Sequence, residues 1–187
     1  MKIVLMAPAG AMHRFNGSFA QSLHYTPLTL TTLAALIPPD IEAEVTLYDE
    51  TVEPIPTDIE ADLIGMTCIT GTSHRVYRWA DYYRSSGIKV LNGGVHPTLL
   101  PHEAKEHADS VVVGFAERTW PQLLRDFKQG QLQPFYYMEE NFSLAGRPLP
   151  KRELLKLELY VTANSFEATR GCLHSCSFCV IPSFQSR

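Results

Sequence analysis

Leu63-Ile-Gly-Met-Thr-Cys68, His74-Arg-Val-Tyr-Arg-Trp-Ala-Asp-Tyr-Tyr-Arg-Ser85 and Lys89-Val-Leu-Asn92 follow one another closely and read as strand, helix, strand. The first and third are short apolar runs of the kind that is buried on both faces of a sheet. The second spaces Val76, Ala80 and Tyr83 at helical intervals. Between the units lie Thr70-Gly-Thr-Ser73 and Gly93-Gly-Val-His-Pro97, which are turn-forming and helix-starting residues. This is a βαβ unit, and the rest of the sequence repeats the pattern.

Working outward, Lys2–Ala7 and Glu44–Tyr48 precede it as strands, and Ser110–Val113 follows as a fifth. Leu28–Ile37, Pro101–His107 and Glu117–Lys128 are the remaining helices, the last placing Trp120, Leu123, Leu124 and Phe127 on one face. Short right-handed crossovers predict an α/β fold with a doubly wound, five-stranded parallel sheet in the flavodoxin-like (Rossmann-like) order 2-1-3-4-5. Ligands of such a sheet bind beyond the strand carboxyl ends, where Thr70–Ser73, Gly93–Pro97 and Gly114-Phe-Ala-Glu117 all fall. Gly93 and Gly94 permit close backbone approach, and the hydroxyls of Thr70, Thr72 and Ser73 can donate or accept. Each loop alone reads equally as a turn or a helix cap. Residues 1–130 form the expected first domain. Residues 131–164, with Pro134, Pro148, Pro150 and the mixed-charge run Lys151–Glu158, are expected as a linker, and a new element begins near Ser165.

Of the 187 residues 45% are apolar and 19% charged, which calls for a packed core and excludes wholesale disorder. The net charge of −4 and scattered Lys and Arg residues give no support to nucleic-acid binding. The apolar N-terminal run is too short for a signal segment or a membrane span, so a cytoplasmic protein is expected. No internal repeat is apparent.

Three of the four cysteines crowd into Cys172-Leu-His-Ser-Cys176-Ser-Phe-Cys179, while Cys68 stands alone in a strand and is left without a role. The spacing C-x₃-C-x₂-C lets one loop offer three thiolates to a single inorganic cluster, leaving one of four irons open. A structural zinc site using the same thiolates with His174 or Cys68 is the alternative.

The cysteine spacing, with Phe178 before the third cysteine and Glu167-Ala-Thr-Arg-Gly171 leading in, resembles the signature of radical S-adenosylmethionine (SAM) enzymes. Thr26-Pro-Leu28, Gly71–Ser73, Gly93–Thr98 and Gly114–Glu117 resemble the cobalamin-binding domain that precedes the barrel in the B12-dependent members of that family. The resemblance covers essentially the whole chain. It implies a [4Fe-4S] cluster on Cys172, Cys176 and Cys179, SAM on the open iron with Phe178 beside its adenine, and Phe166–Thr169 as the first strand of a partial barrel. It further implies cobalamin over Thr70, Gly71, Thr72, Ser73, Gly93, Gly94, Val95, His96, Pro97, Gly114 and Glu117, its nucleotide tail running down beside the sheet. The mutase pattern Asp-x-His-x-x-Gly is broken in Ala11-Met-His-Arg-Phe-Asn-Gly17, so His13 is not expected to ligate cobalt. His96 is expected to order its loop, and Phe115 stands where related sequences often carry Glu.

The implied activity is methyl transfer to an unactivated carbon of a small molecule, through a 5′-deoxyadenosyl radical and methylcobalamin. An electron donor such as flavodoxin or ferredoxin would serve it. Oxidative ring closure of the magnesium-protoporphyrin cyclase type is one alternative, and a non-enzymatic cobalamin- or zinc-binding module another. A phospho-acceptor receiver is excluded, because the end of the first strand reads Ala7-Pro-Ala-Gly10 where acidic residues are needed. The chain stops at Arg187, eight residues past Cys179, so only the start of a barrel (165–187) is expected and catalysis by this chain alone is not.

Overall fold

A computed structural model of the chain describes residues 1–10, 25–139, 143, 145–162, 164–168, 170–172, 174 and 176–181. Strands β1 (Lys2–Ala7), β2 (Glu44–Asp49), β3 (Leu63–Thr67), β4 (Lys89–Gly93), β5 (Ser110–Val113) and β6 (Phe135–Tyr137) form one parallel sheet in the order β2-β1-β3-β4-β5-β6. Helices α1 (Leu28–Ala35), α2 (Ser73–Ser85), α3 (Val95–Leu99), α4 (Pro101–Glu106) and α5 (Thr119–Lys128) cover its two faces.

Alternation along each central strand builds two cores. Val4, Met6, Ile64, Met66, Val90 and Val111 face α2 and α4, meeting Val76, Tyr77, Ala80, Tyr83 and Ala104. Ile3, Leu5, Leu63, Leu91 and Val112 face α1 and α5, meeting Leu30, Ala34, Trp120, Leu123 and Leu124. β2 closes one edge, and its exposed Glu44 and Thr46 suit a strand with one solvated face.

The sheet departs from the expected five strands by adding β6 at the other edge. Three residues after Pro134 are too few to show an alternation, so pairing with Val111–Val113, rather than local pattern, makes the strand. Tyr136 secures it, donating its hydroxyl to Asp126 Oδ2 at 2.7 Å and accepting from the Gln133 amide at 3.1 Å. α3 arises within the stretch expected as a plain loop. α5 begins two residues later than expected, at Thr119.

Beyond β6 the chain runs back over the strand carboxyl ends. The Lys151 amide donates to the Thr31 carbonyl (3.0 Å), Tyr160 donates to Asp49 Oδ2 (3.1 Å), and Thr26 donates to Ser165 Oγ (3.1 Å). Short 3₁₀ turns at Arg152–Leu154 and Leu157–Leu159 interrupt this segment, and Tyr25 and Thr162 form an isolated parallel bridge. Phe166–Ala168, expected as part of a strand, pair with no strand; an extended segment needs a neighbouring backbone to become one. Thr169, His13 and the rest of 11–17 lie outside the described residues. Among the described residues no helix is long and apolar enough to cross a membrane.

Candidate functional site

A cavity of about 420 Å³ opens at the carboxyl edge of the sheet and descends between it and helices α1 and α5. Leu28 and Leu33 of α1, with Leu36 just after it, form one wall, Trp120 of α5 another, and Gly65, Leu91 and Val112 the sheet side. Trp120 is fixed by donating its indole N–H to the Leu33 carbonyl at 3.0 Å. Gly65 leaves the sheet bare at mid-strand: a Cβ there would lie 2.9 Å from Leu5 Cδ2 and 3.6 Å from the Trp120 ring. Of these wall residues only Leu28 falls in a sequence motif, because each of the others reads as ordinary core.

The rim comes from the loops after β3, β4 and β5. Gly93, Gly94, Val95, Gly114 and Glu117, all expected in the site, line the cavity, as do Thr98 and Phe115. Thr98 staples two of these loops together, donating to the Gly94 carbonyl (2.7 Å) and accepting from the Gly114 amide (2.9 Å). Gly94 sits at φ +108°, and a Cβ would lie 2.7 Å from the Cys68 carbonyl oxygen. Its close approach is thus to the end of β3. The Cys68 amide in turn donates to the Gly93 carbonyl (2.8 Å), and the His96 amide to the Cys68 carbonyl (3.1 Å).

Thr70, Gly71, Thr72, Ser73, His96 and Pro97 are not among the lining residues; from the β3 loop Ile69 takes that place. The hydroxyls close on their own turn: Thr72 donates to the Ile69 carbonyl (3.1 Å) and Ser73 to the Thr70 carbonyl (3.0 Å). The Gly71 carbonyl lies against Gly10, where a Cβ would come within 2.5 Å of it. His96, 4% exposed, is held between Thr70 Oγ1 and Glu103 Oε1, each 3.2 Å from a ring nitrogen. Cys68 is fully buried, and desolvation pushes its thiol up to about 12.

Glu167, Arg170 and Ile181, from the segment around the cysteines, also line the cavity. Arg170 is ion-paired to Glu117 and, at 2.7 Å, to Glu167; its guanidinium stands 4.7 Å above the Phe115 ring. The hydrogen bonds from Arg170 and Arg147 hold the Glu167 carboxyl below the usual carboxylate range. Cys172 and Cys176 are exposed and Cys179 partly so, all three as free thiols, with the Cys179 amide donating to the Cys176 carbonyl at 3.1 Å. Phe178 is exposed. Among the described residues no three metal-ligating side chains converge.

A family model described as the B12 binding domain matches residues 26–124, more than half of the chain and the part that builds most of the cavity. The chain belongs to the B12-binding domain family. Two relatives from Chlorobaculum tepidum are methyltransferases. Bacteriochlorophyllide d C-8(2)-methyltransferase is 34% identical over 86% of this chain and 37% of its own length. Bacteriochlorophyllide d C-12(1)-methyltransferase is 33% identical over 97% of this chain and 40% of its own length. The chain therefore spans about two fifths of the length of these curated relatives. In the cobalamin-dependent S-adenosylmethionine radical enzyme OxsB, solved with aqua-cobalamin bound, a region superposes with a TM-score of 0.55 at 19% identity, covering 71% of this chain and 19% of that one. The B12-binding domain described here shares that fold, and its cavity opens on the sheet edge where such folds take their ligands.

Proposed function

We propose that this chain is the cobalamin-binding front portion of a radical SAM methyltransferase acting on a small molecule. One observation carries the reading: the segment leading into the cysteine loop supplies part of the wall of the B12-binding domain's cavity, through Glu167 and Arg170. A group resting on the rim would meet the segment that leads into the cysteine loop.

The residues present fit cobalamin in two parts. The apolar slot beside Gly65, Leu91 and Trp120 is the size of a drug-like ligand, and so suits the nucleotide tail but not a whole corrin ring. The open rim, with Gly93, Val95, Gly114 and Phe115, offers the surface on which the ring would rest. With His96 already held by Thr70 and Glu103, no histidine among the described residues lines the rim, and the chain's part is to bind and orient. When bound, cobalamin supplies the methyl group. Cys172, Cys176 and Cys179 have the donor chemistry for an iron–sulfur cluster, with Phe178 free to stack on the adenine of SAM. A cluster held by these three thiolates would supply reducing chemistry toward SAM, with a flavodoxin- or ferredoxin-like protein as the electron donor. The names of the two relatives favour methyl transfer over ring closure.

Anaerobic reconstitution followed by metal analysis tests this. About four iron atoms and one corrin per chain are expected, with the iron lost from a Cys172→Ala variant and the corrin kept. Zinc retained in place of iron, or no corrin bound, would overturn the proposal.

A further inference from the structure

Two arginines and two glutamates meet at the rim of the cavity, drawn from three separate stretches of chain. Glu117 follows β5, Arg147 lies beyond β6, and Glu167 and Arg170 precede the cysteine loop. Glu117 accepts from Arg170 and from Arg147 (3.5 Å); Glu167 accepts from Arg147 (2.8 Å) and Arg170 (2.7 Å). The Glu117 side chain is 9% exposed and the two arginines 16% and 18%, so these are half-buried pairs rather than solvated ones. Two positive charges meet two negative ones, leaving none over for an anionic ligand. The role left to the quartet is mechanical.

Its position makes that role specific. Gly114, Phe115, Ala116 and Glu117 all line the cavity, and Gly114 starts the loop at φ +86°. Phe115 lies beneath the Arg170 guanidinium. Arg170 stands two residues before Cys172. A group settling on the rim must press on the loop that holds Arg170 through both charge and ring. Burial penalises any arrangement that leaves one of the four charges unpaired, so the quartet moves as a unit.

We infer that Glu117 is a positioning residue that couples occupancy of the cavity to the placement of the cysteine loop. This rests on the cobalamin reading. By linkage the coupling is reciprocal: whatever orders the cysteine loop also favours ligand on the rim.

The test uses the full 187-residue chain with aquacobalamin. Absorbance titration establishes binding, and hydrogen exchange is followed at residues 166–172 with and without the ligand. In the wild type, ligand slows that exchange about 5- to 150-fold, the usual range of coupling between sites, and in Glu117→Gln the effect falls to about twofold or less. Arg170→Gln, which breaks the same contact from its other partner, gives the same loss should Glu117→Gln fold poorly. The ligand dependence is what is read, since a merely structural residue would change exchange equally with and without ligand. Full slowing retained in both variants means direct contact between ligand and segment and overturns the inference. Binding without slowing in the wild type overturns it too, while leaving the cobalamin reading intact. No binding at all removes both.

Discussion

Gly94 both lines the cavity and joins two strands at its rim. Its positive φ and the 2.7 Å between a notional Cβ and the Cys68 carbonyl join β4 to the end of β3, and the rim is shaped by that junction. Gly94→Ala is expected to destabilise the chain by about 1–3 kcal/mol, read from denaturant midpoints; an unchanged midpoint would show that the junction relaxes freely. Cys68, in the same junction, is buried with its thiol pushed up to about 12. At mildly alkaline pH iodoacetamide should label Cys172 and Cys176 in the native chain but Cys68 only after denaturation. Labelling at equal rates would contradict the burial. At this scale the sequence was legible where glycines mark a loop and opaque about what the missing side chain makes room for. Gly94 reads as an approach to ligand; it lines the cavity, and it also approaches the Cys68 backbone. The Glu117–Arg170 pair was illegible because its partners lie 53 positions apart and each also reads as a surface charge.

Among the elements, five strands and four helices followed from apolar runs and helical spacing, since strands buried on both faces and amphipathic helices leave strong local patterns. β6 did not, because its Phe135-Tyr-Tyr137 is held by pairing and by the packing of Phe135 and Tyr136. Tyr136→Ala is expected to lower stability by about 3 kcal/mol and residues 1–130 to melt below residues 1–139; equal thermal midpoints would make β6 an ornament of the edge. The wall helices were read as helices but not as walls. Leu33, Leu36 and Trp120 carry the same pattern whether they cover core or a cavity, and Gly65, the one irregularity, gives only a weak signal within a short apolar strand.

Across the whole molecule, carboxylates fasten the loops over the strand ends. Glu167 is held below its ordinary range by Arg170 and Arg147. Glu50 is likewise lowered: burial opposes the shift but is outweighed by Arg75, the Ala9 amide and Trp79. A carboxyl whose folded pKa is depressed stabilises the fold above its unfolded value and loses that contribution as pH falls through the folded one. The segment carrying Glu167 should therefore become protease-sensitive once pH falls below the ordinary carboxylate range, ahead of the sheet, and a segment equally protected at pH 3 and pH 6 would show that the quartet does not hold it. The central claim is that the cavity beside Gly65 and Trp120 holds the nucleotide tail of cobalamin while the corrin rests on the rim. Equilibrium dialysis of aquacobalamin against cobinamide, the same corrin without its nucleotide, tests it most directly. The account predicts that the chain binds cobalamin at least about tenfold more tightly, a difference of about 1.4 kcal/mol; equal affinity for the two would contradict it.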